Sequence, residues 1–444
     1  MNRRQVIKNI SLLGSAAMLP GSVFSSLNGR TTGFTRSDFG TNFRWGVATA
    51  AFQNEGAWDA DGKGESIWDR FSSNPRNIKD GSHAQASCDF YHRYKDDIAL
   101  ARSLGFDTFR FSIAWSRIFP DGTGTANRKG LDFYHRIIDT CLENGMDPFV
   151  TLYHWDLPQK LEDKGGWLNR DIIGWFSEFT DLVTREFKTK ARNWCVLNEP
   201  MGFIGLGYVQ GMHAPGKKKL LGLFPGILHA ALCQAEGGRI IRNNIPEAYI
   251  GTCLSCSHVD PVSNKEKDIK AAGRMDAFLN RMFIEPLVGM GFPTDTLPAL
   301  KRIENHMQEG DEQKLKFDFD FIGIQNYFRL VGKKSIILPV VHANNVDAEK
   351  RDAERLSSMK WEIYPEGIYK MLKKFSAYPV KELIVTENGC CFADKVENDH
   401  VHDSARIQFF KDYLEQVLKA KREGVNVNGY FVWTLTDNFE WSEG

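Results

Sequence analysis

Runs rich in Phe, Ile, Val, Tyr and Trp recur eight times along this chain, at Phe43–Ala50, Thr108–Trp115, Asp147–Trp155, Asn193–Glu199, Ala248–Val259, Asp320–Phe328, Glu382–Glu387 and Gly429–Leu435. Gly, Pro, Asn or Asp bound them, as expected of short strands. Between them lie stretches with apolar residues at helical spacing. In 170–187, Ile172, Trp175, Phe176, Phe179, Leu182, Val183 and Phe187 form one stripe. In 402–420 the stripe reads Ile407, Phe410, Tyr413, Leu414, Val417 and Leu418. Eight strand–helix alternations predict an α/β fold with a parallel sheet closed into a single-domain (β/α)8 barrel. An open doubly wound sheet would want a Gly-rich phosphate turn after the first strand, and Ala48-Thr49-Ala50-Ala51-Phe52 is not one. The polar stretches 299–316 and 342–358 read as solvated loops or helical insertions.

Composition narrows the function. The 444 residues hold 56 Lys+Arg against 56 Asp+Glu, so no basic excess is present to neutralise phosphates, which argues against a nucleic-acid partner. No apolar run beyond the first thirty residues or so approaches the ~20 needed to span a bilayer. Residues 1–29 differ from the rest: Arg3, Arg4 and Lys8 precede an apolar stretch, Ile10 to Leu19, and then small and polar residues. That order is the one found in export signals, and Asn2-Arg3-Arg4-Gln5-Val6-Ile7-Lys8 resembles a bacterial twin-arginine signal. The expected destination is the periplasm, with the cytoplasm as the alternative. Several of the eight cysteines sit in apolar runs as small core residues, and Cys253 and Cys256 form a lone CxxC with no second pair to complete a zinc site.

In a barrel of this type chemistry gathers at the carboxyl ends of the strands. The predicted ends carry Gln53 and Glu55, His154-Trp155-Asp156, Asn198-Glu199-Pro200, Asn326-Tyr327, Thr386-Glu387-Asn388-Gly389, and Trp433 leading to Asp437-Asn438-Phe439-Glu440-Trp441, with Arg110 inside the second run. Carboxylates with no cofactor motif point to acid/base or nucleophilic carboxylate chemistry. Amides and indoles beside them suit a polyhydroxylated ring, whose vicinal hydroxyls an amide can bridge and whose C–H face an indole can cover.

The runs Trp45-Gly46-Val47-Ala48-Thr49-Ala50-Ala51-Phe52-Gln53-Asn54-Glu55-Gly56-Ala57, His154-Trp155-Asp156-Leu157-Pro158, Leu197-Asn198-Glu199-Pro200, Ile384-Val385-Thr386-Glu387-Asn388-Gly389 and Asn438-Phe439-Glu440-Trp441 resemble glycoside hydrolase family 1, the β-glucosidase family. The resemblance covers 36–444 and implies a retaining β-glycosidase that needs neither cofactor nor metal and takes a small β-glucoside or oligosaccharide, with some tolerance of galactose or fucose. Glu199 would be the acid/base and Glu387 the nucleophile, kept ionised by Arg110 and Tyr327. Gln53, His154 and Glu440 would hold the distant hydroxyls, and Asn198 the 2-hydroxyl with Asn326 beside it. Trp433 would floor the glycone, Trp441 would meet its rim, and Trp361 would be the aglycone platform. Glu440 is the residue type of members that act on unphosphorylated sugars, and Glu199 stands where thioglucosidases carry Gln. A transglycosidase and an inactive sugar-binding barrel are the alternatives, and the oligomeric state stays open.

The chain departs from the family pattern at Asn54, at Val196 and at Gln325, which precedes Asn326-Tyr327 where the family often reads Gly-x-Asn-Tyr directly. Cys390-Cys391 follow the nucleophile motif, so oxidation there is expected to affect activity. The sequence stops at Gly444, soon after the eighth run, and the expectation is a barrel lacking its last C-terminal helix.

Overall fold

The computed structural model describes residues 33–337 and 340–444; the export-type segment 1–29 lies outside the described residues. Thirteen strands are present among the described residues. In chain order they are β1 Arg44–Ala48, β2 Thr108–Ser112, β3 Asp147–Tyr153, β4 Asn193–Asn198, β5 Tyr249–Ser255, β6 Val259–Pro261, β7 Phe321–Gln325, β8 Leu330–Lys334, β9 Ala343–Asn345, β10 Leu383–Asn388, β11 Val396–Glu397, β12 His400–Val401 and β13 Val427–Trp433. Eight of them close into a parallel barrel in the order β1-β13-β10-β7-β5-β4-β3-β2, the (β/α)8 arrangement predicted from the sequence. A small sheet, β6-β8-β9, and the hairpin β11-β12 stand apart from it.

The barrel interior is packed rather than hollow. Ala48, Phe149, Cys195, Cys253, Phe321, Ile384 and Phe431, one from each of seven barrel strands, form a cluster separate from the outer core. Phe149 meets Phe321 and Phe431 edge-on, with ring centroids 5.3 and 5.2 Å apart. Space for these rings comes from glycine: a Cβ on Gly46 would lie 2.4 Å from the Phe431 ring. The Sγ atoms of Cys195 and Cys253 sit 2.8 Å apart in this layer, and both thiols are free.

Side chains alternate between the two faces of a strand, so an inward Phe321 places Gly323 and Gln325 inward on β7. In two strands that parity is broken. Along β4 the register against β5 shifts between Cys195 and Asn198. Along β10 the register against β7 shifts between Val385 and Glu387. Starting from inward Cys195 and Ile384, strict alternation would send Asn198 and Glu387 to the outer face; the irregularities turn both inward.

The outer shell follows the predicted periodicity with one correction. In the helix Ile172–Phe187 the buried stripe includes Ile172, Phe176, Phe179, Val183 and Phe187, as expected. In the helix Ser404–Arg422 it runs through Phe409, Tyr413, Val417 and Leu418, while Ile407 is 54% exposed. Ile407 is two residues, about 200° of helix rotation, from Phe409, so a stripe fixed by Tyr413 and Val417 takes the phenylalanine and leaves the isoleucine outside. The polar stretches carry short elements, including a 3-10 helix, Pro298–His306, and β9. Among the described residues no helix is long and apolar enough to cross a membrane.

Candidate active site

The site is built around Arg110 on β2, which is fully buried. Its Nη1 donates to Glu387 Oε1 at 2.5 Å and its Nη2 to Asn198 Oδ1 at 2.6 Å. Thr151 on β3 steadies the guanidinium by accepting from Nε at 3.1 Å. One planar fork thus ties the end of β4 to the end of β10. Glu387 receives two further donors, Gln325 Nε2 on Oε1 and the Tyr327 hydroxyl on Oε2, each at 2.7 Å.

Glu199 follows β4 directly, with a left-handed φ of 45°. Its amide donates to the Cys253 carbonyl at 2.9 Å. Burial, and next the charge of Glu387, push its carboxyl up to about 8, against a hydrogen bond from Ser255. Burial leaves Glu387 raised as well, with Arg110 and Tyr327 opposing that rise. The two glutamates therefore stand in contrasting surroundings: Glu199 is held protonated near neutral pH, and Glu387 is surrounded by donors that favour its anion.

The expected sugar ligands gather at the same end of the barrel. Gln53 donates to the Phe439 carbonyl at 3.0 Å and to Glu440 Oε2 at 3.3 Å, and its buried Oε1 has no partner among the described residues. Burial and the Glu387 charge push Glu440 up to about 7, opposed by Trp433, Asn438 and Gln53. His154 lies face-on to Trp433 and Trp441, with centroids 5.7 and 5.9 Å apart. Burial, with the charge of Arg110, lowers its pKa well below the usual histidine value, so the ring is neutral. Because Asn198 Oδ1 accepts from Arg110 and Gln325, Asn198 Nδ2 is the donor in its 3.0 Å contact with His154 Nε2. The remaining proton is then on Nδ1, a buried atom with no partner among the described residues. Trp441 is largely buried, 4.7 Å from Trp155 and 4.6 Å from Trp68. Trp361 is half-buried and rests against Phe328 and Tyr327.

One expected ligand has its amide nitrogen committed elsewhere. Asn326 sends its Nδ2 to the Cys256 carbonyl at 2.7 Å, and Gln325 supplies the amide that meets Glu387 and Asn198. Strand parity explains the exchange. Phe321, Gly323 and Gln325 share the inner face of β7, so the next residue points outward. Reading that parity from the inward phenylalanine would have found Gln325 in the sequence. Trp155, whose indole donates to the Asn198 carbonyl at 2.9 Å, is a second supporting residue to which the motif reading gave no role. Cys390 and Cys391 are half-buried, and the Cys391 carbonyl accepts from Ser358 at 3.0 Å.

Comparison with known proteins agrees with this geometry. The model of glycosyl hydrolase family 1 matches residues 35–444. β-Glucosidase A of Thermotoga maritima is 41% identical over 409 residues, 91% of each chain. β-Glucosidase A of Acetivibrio thermocellus is 41% identical over 417 residues, again 91% of each. Among solved structures, the family 1 β-glucosidase from Thermotoga maritima superposes with a TM-score of 0.87 at 41% identity, covering 91% of this chain and 90% of its own. A barrel matched over this length, at this identity and with these two glutamates at its strand ends, belongs to glycosyl hydrolase family 1 and is an O-glycoside hydrolase.

Proposed function

We propose that this enzyme is a retaining β-glycosidase that removes terminal β-linked glucose from oligosaccharides or glycosides. The observation that carries the reading is the contrast between two electrostatically coupled glutamates, one held protonated and one ringed by Arg110, Gln325 and Tyr327. A retaining mechanism requires this division of labour. Glu387 attacks the anomeric carbon, the glycosidic C–O bond breaks, and Glu199 gives its proton to the departing oxygen. Esterification removes the Glu387 charge, and with it one of the causes that hold Glu199 protonated. Glu199, now an anion, takes a proton from water as the water oxygen attacks the anomeric carbon. The ester bond breaks, sugar leaves with its original configuration, and both side chains return to their starting states.

Sugar recognition follows from the unpartnered atoms. The free Nδ1–H of His154 donates to a hydroxyl, and Gln53 Oε1 accepts from one. Asn198 lies beside the nucleophile, where a 2-hydroxyl would sit, and Trp433 offers an indole face. Glucose as the glycone is supported by the relatives, among them a 1,4-β-D-glucan glucohydrolase of Thermotoga neapolitana and the Thermotoga maritima enzyme solved with noeuromycin. The test is hydrolysis of aryl β-glucosides by the wild type and by Glu387→Ala, with the product anomer followed by NMR. Retained β configuration and loss of turnover in the variant are expected. An inverted product, or equal background release from both proteins, would overturn the reading. We also infer, from the Arg3-Arg4 pair and the apolar stretch behind it, that residues 1–29 direct export. Deleting them should leave activity in the cytoplasmic fraction.

A further inference from the structure

Trp361 sits on a tight loop that closes on its own backbone. Ser357 N donates to the Trp361 carbonyl at 2.9 Å, and Ile363 N to that of Arg355 at 3.0 Å. Those bonds shape the loop but do not fix where it sits relative to the nucleophile. Ser358 N ties the loop to the Cys391 carbonyl at 3.0 Å and Arg355 Nη1 ties it to Asp412 Oδ2 at 2.6 Å, and the residue after the indole adds a charged anchor on the nucleophile's side. Glu362 is buried, and Arg329 grips it with a fork, Nε to Oε2 at 2.7 Å and Nη2 to Oε1 at 2.9 Å. Arg351 adds Nη2 to Oε2 at 2.8 Å. Paired donors of this kind fix the plane of a carboxylate as well as its position.

The spacing on the other side of the clamp is what gives it meaning. Tyr327 holds the nucleophile, with its hydroxyl 2.7 Å from Glu387 Oε2. Phe328 packs against the Trp361 ring, with centroids 4.8 Å apart. Arg329 grips Glu362. Three consecutive residues therefore connect the reacting carboxylate, the wall of the indole and the anchor of the indole's loop.

We propose that Glu362, held by Arg329 and Arg351, is the positioning residue of the Trp361 platform, and that this ion cluster sets how strongly the enzyme favours a sugar ring over a small leaving group. The inference rests on the reading of Glu387 as nucleophile and Trp361 as aglycone platform. It adds that the platform's contribution depends on its loop being keyed to the 327–329 segment.

The test compares kcat/KM for cellobiose, whose leaving glucose needs a platform, with kcat/KM for β-D-glucosyl fluoride, whose leaving fluoride needs none. The readout is the ratio of the two, so a general loss of active protein cancels. Glu362→Gln should lower the ratio about fivefold to tenfold, the scale of one aromatic contact. Arg351→Gln, which keeps the Arg329 fork and serves should Glu362→Gln fail to fold, should lower it by a smaller factor. Trp361→Ala should lower it at least as far as Glu362→Gln, and the double variant should match Trp361→Ala alone. An unchanged ratio in folded Glu362→Gln, unchanged in folded Arg351→Gln if Glu362→Gln does not fold, or a double variant in which the two losses multiply, would overturn the proposal. An unchanged ratio in Trp361→Ala would overturn the platform assignment with it. The glycosidase reading fails separately, through a wild type that turns over neither substrate.

Discussion

Replacing Gln325 by Leu tests the electrostatic design of the site most directly. Leucine keeps much of the side-chain volume at a fully buried position but removes the N–H that reaches both Glu387 Oε1 and Asn198 Oδ1 at 2.7 Å. Arg110 still reaches both oxygens, so neither is orphaned. A hydrogen bond to a charged group contributes about 1.5–3 kcal/mol. If roughly half of that acts on the Glu387 anion, the folded carboxylate loses about 1 kcal/mol, close to one pH unit. The donor stabilised the ionised form, so its loss raises the nucleophile's pKa. The acidic limb of kcat/KM should therefore move up by about one pH unit, and the plateau should drop by about tenfold as Asn198 loses a support. The assay is a pH series of kcat/KM on an aryl β-glucoside, with folding checked by circular dichroism. An acidic limb that stays in place with kcat/KM within twofold of wild type would refute the idea that Gln325 supports the nucleophile.

Three further outcomes follow. Glu199→Gln should cost about 10²–10⁴ in kcat/KM on substrates whose leaving group needs a proton, and far less in kcat/KM on glucosyl fluoride, while kcat falls on both because the water step loses its base; steady-state kinetics on the two substrates will show this. Glu199 also links stability to pH. Its folded pKa, about 8, lies above the ordinary carboxylate value of 4.5, so between those values the folded chain holds a proton that the unfolded chain has released, and stability falls as pH rises through that window. Thermal melts should accordingly show Glu199→Gln gaining Tm over wild type at pH 8 and little at pH 4.5. Gly46→Ala puts a Cβ 2.4 Å from the Phe431 ring, and this overpacking should cost about 1–3 kcal/mol, read as a lower denaturation midpoint with the site residues unchanged.

Much of this molecule is visible in its sequence because its two periodicities are strong. Strand runs and helical stripes repeat often enough to specify a barrel, and a barrel says which end of each strand to inspect. The reading fails where a side chain's direction depends on more than a repeat. Ile407 is as apolar as Phe409, and only the packing against Tyr413 and Val417 decides which is covered. Asn326 and Gln325 are both amides at a strand end; resemblance points to Asn326, whereas strand parity is what turns Gln325 toward Glu387. The Arg329–Glu362–Arg351 cluster leaves no local trace, since its members sit 33 and 11 residues apart with no periodic spacing and look like ordinary surface charges.

The two register shifts on β4 and β10 carry a consequence for how this enzyme can change. Substitutions on the outer helices alter packing by degrees and leave the strand ends that carry the two glutamates in place. Adding or deleting a single residue between Cys195 and Asn198, or between Val385 and Glu387, would instead swap which face of the wall everything beyond it occupies. The chemistry of this barrel is thus tolerant of altered side chains around it and intolerant of altered counting in two short stretches.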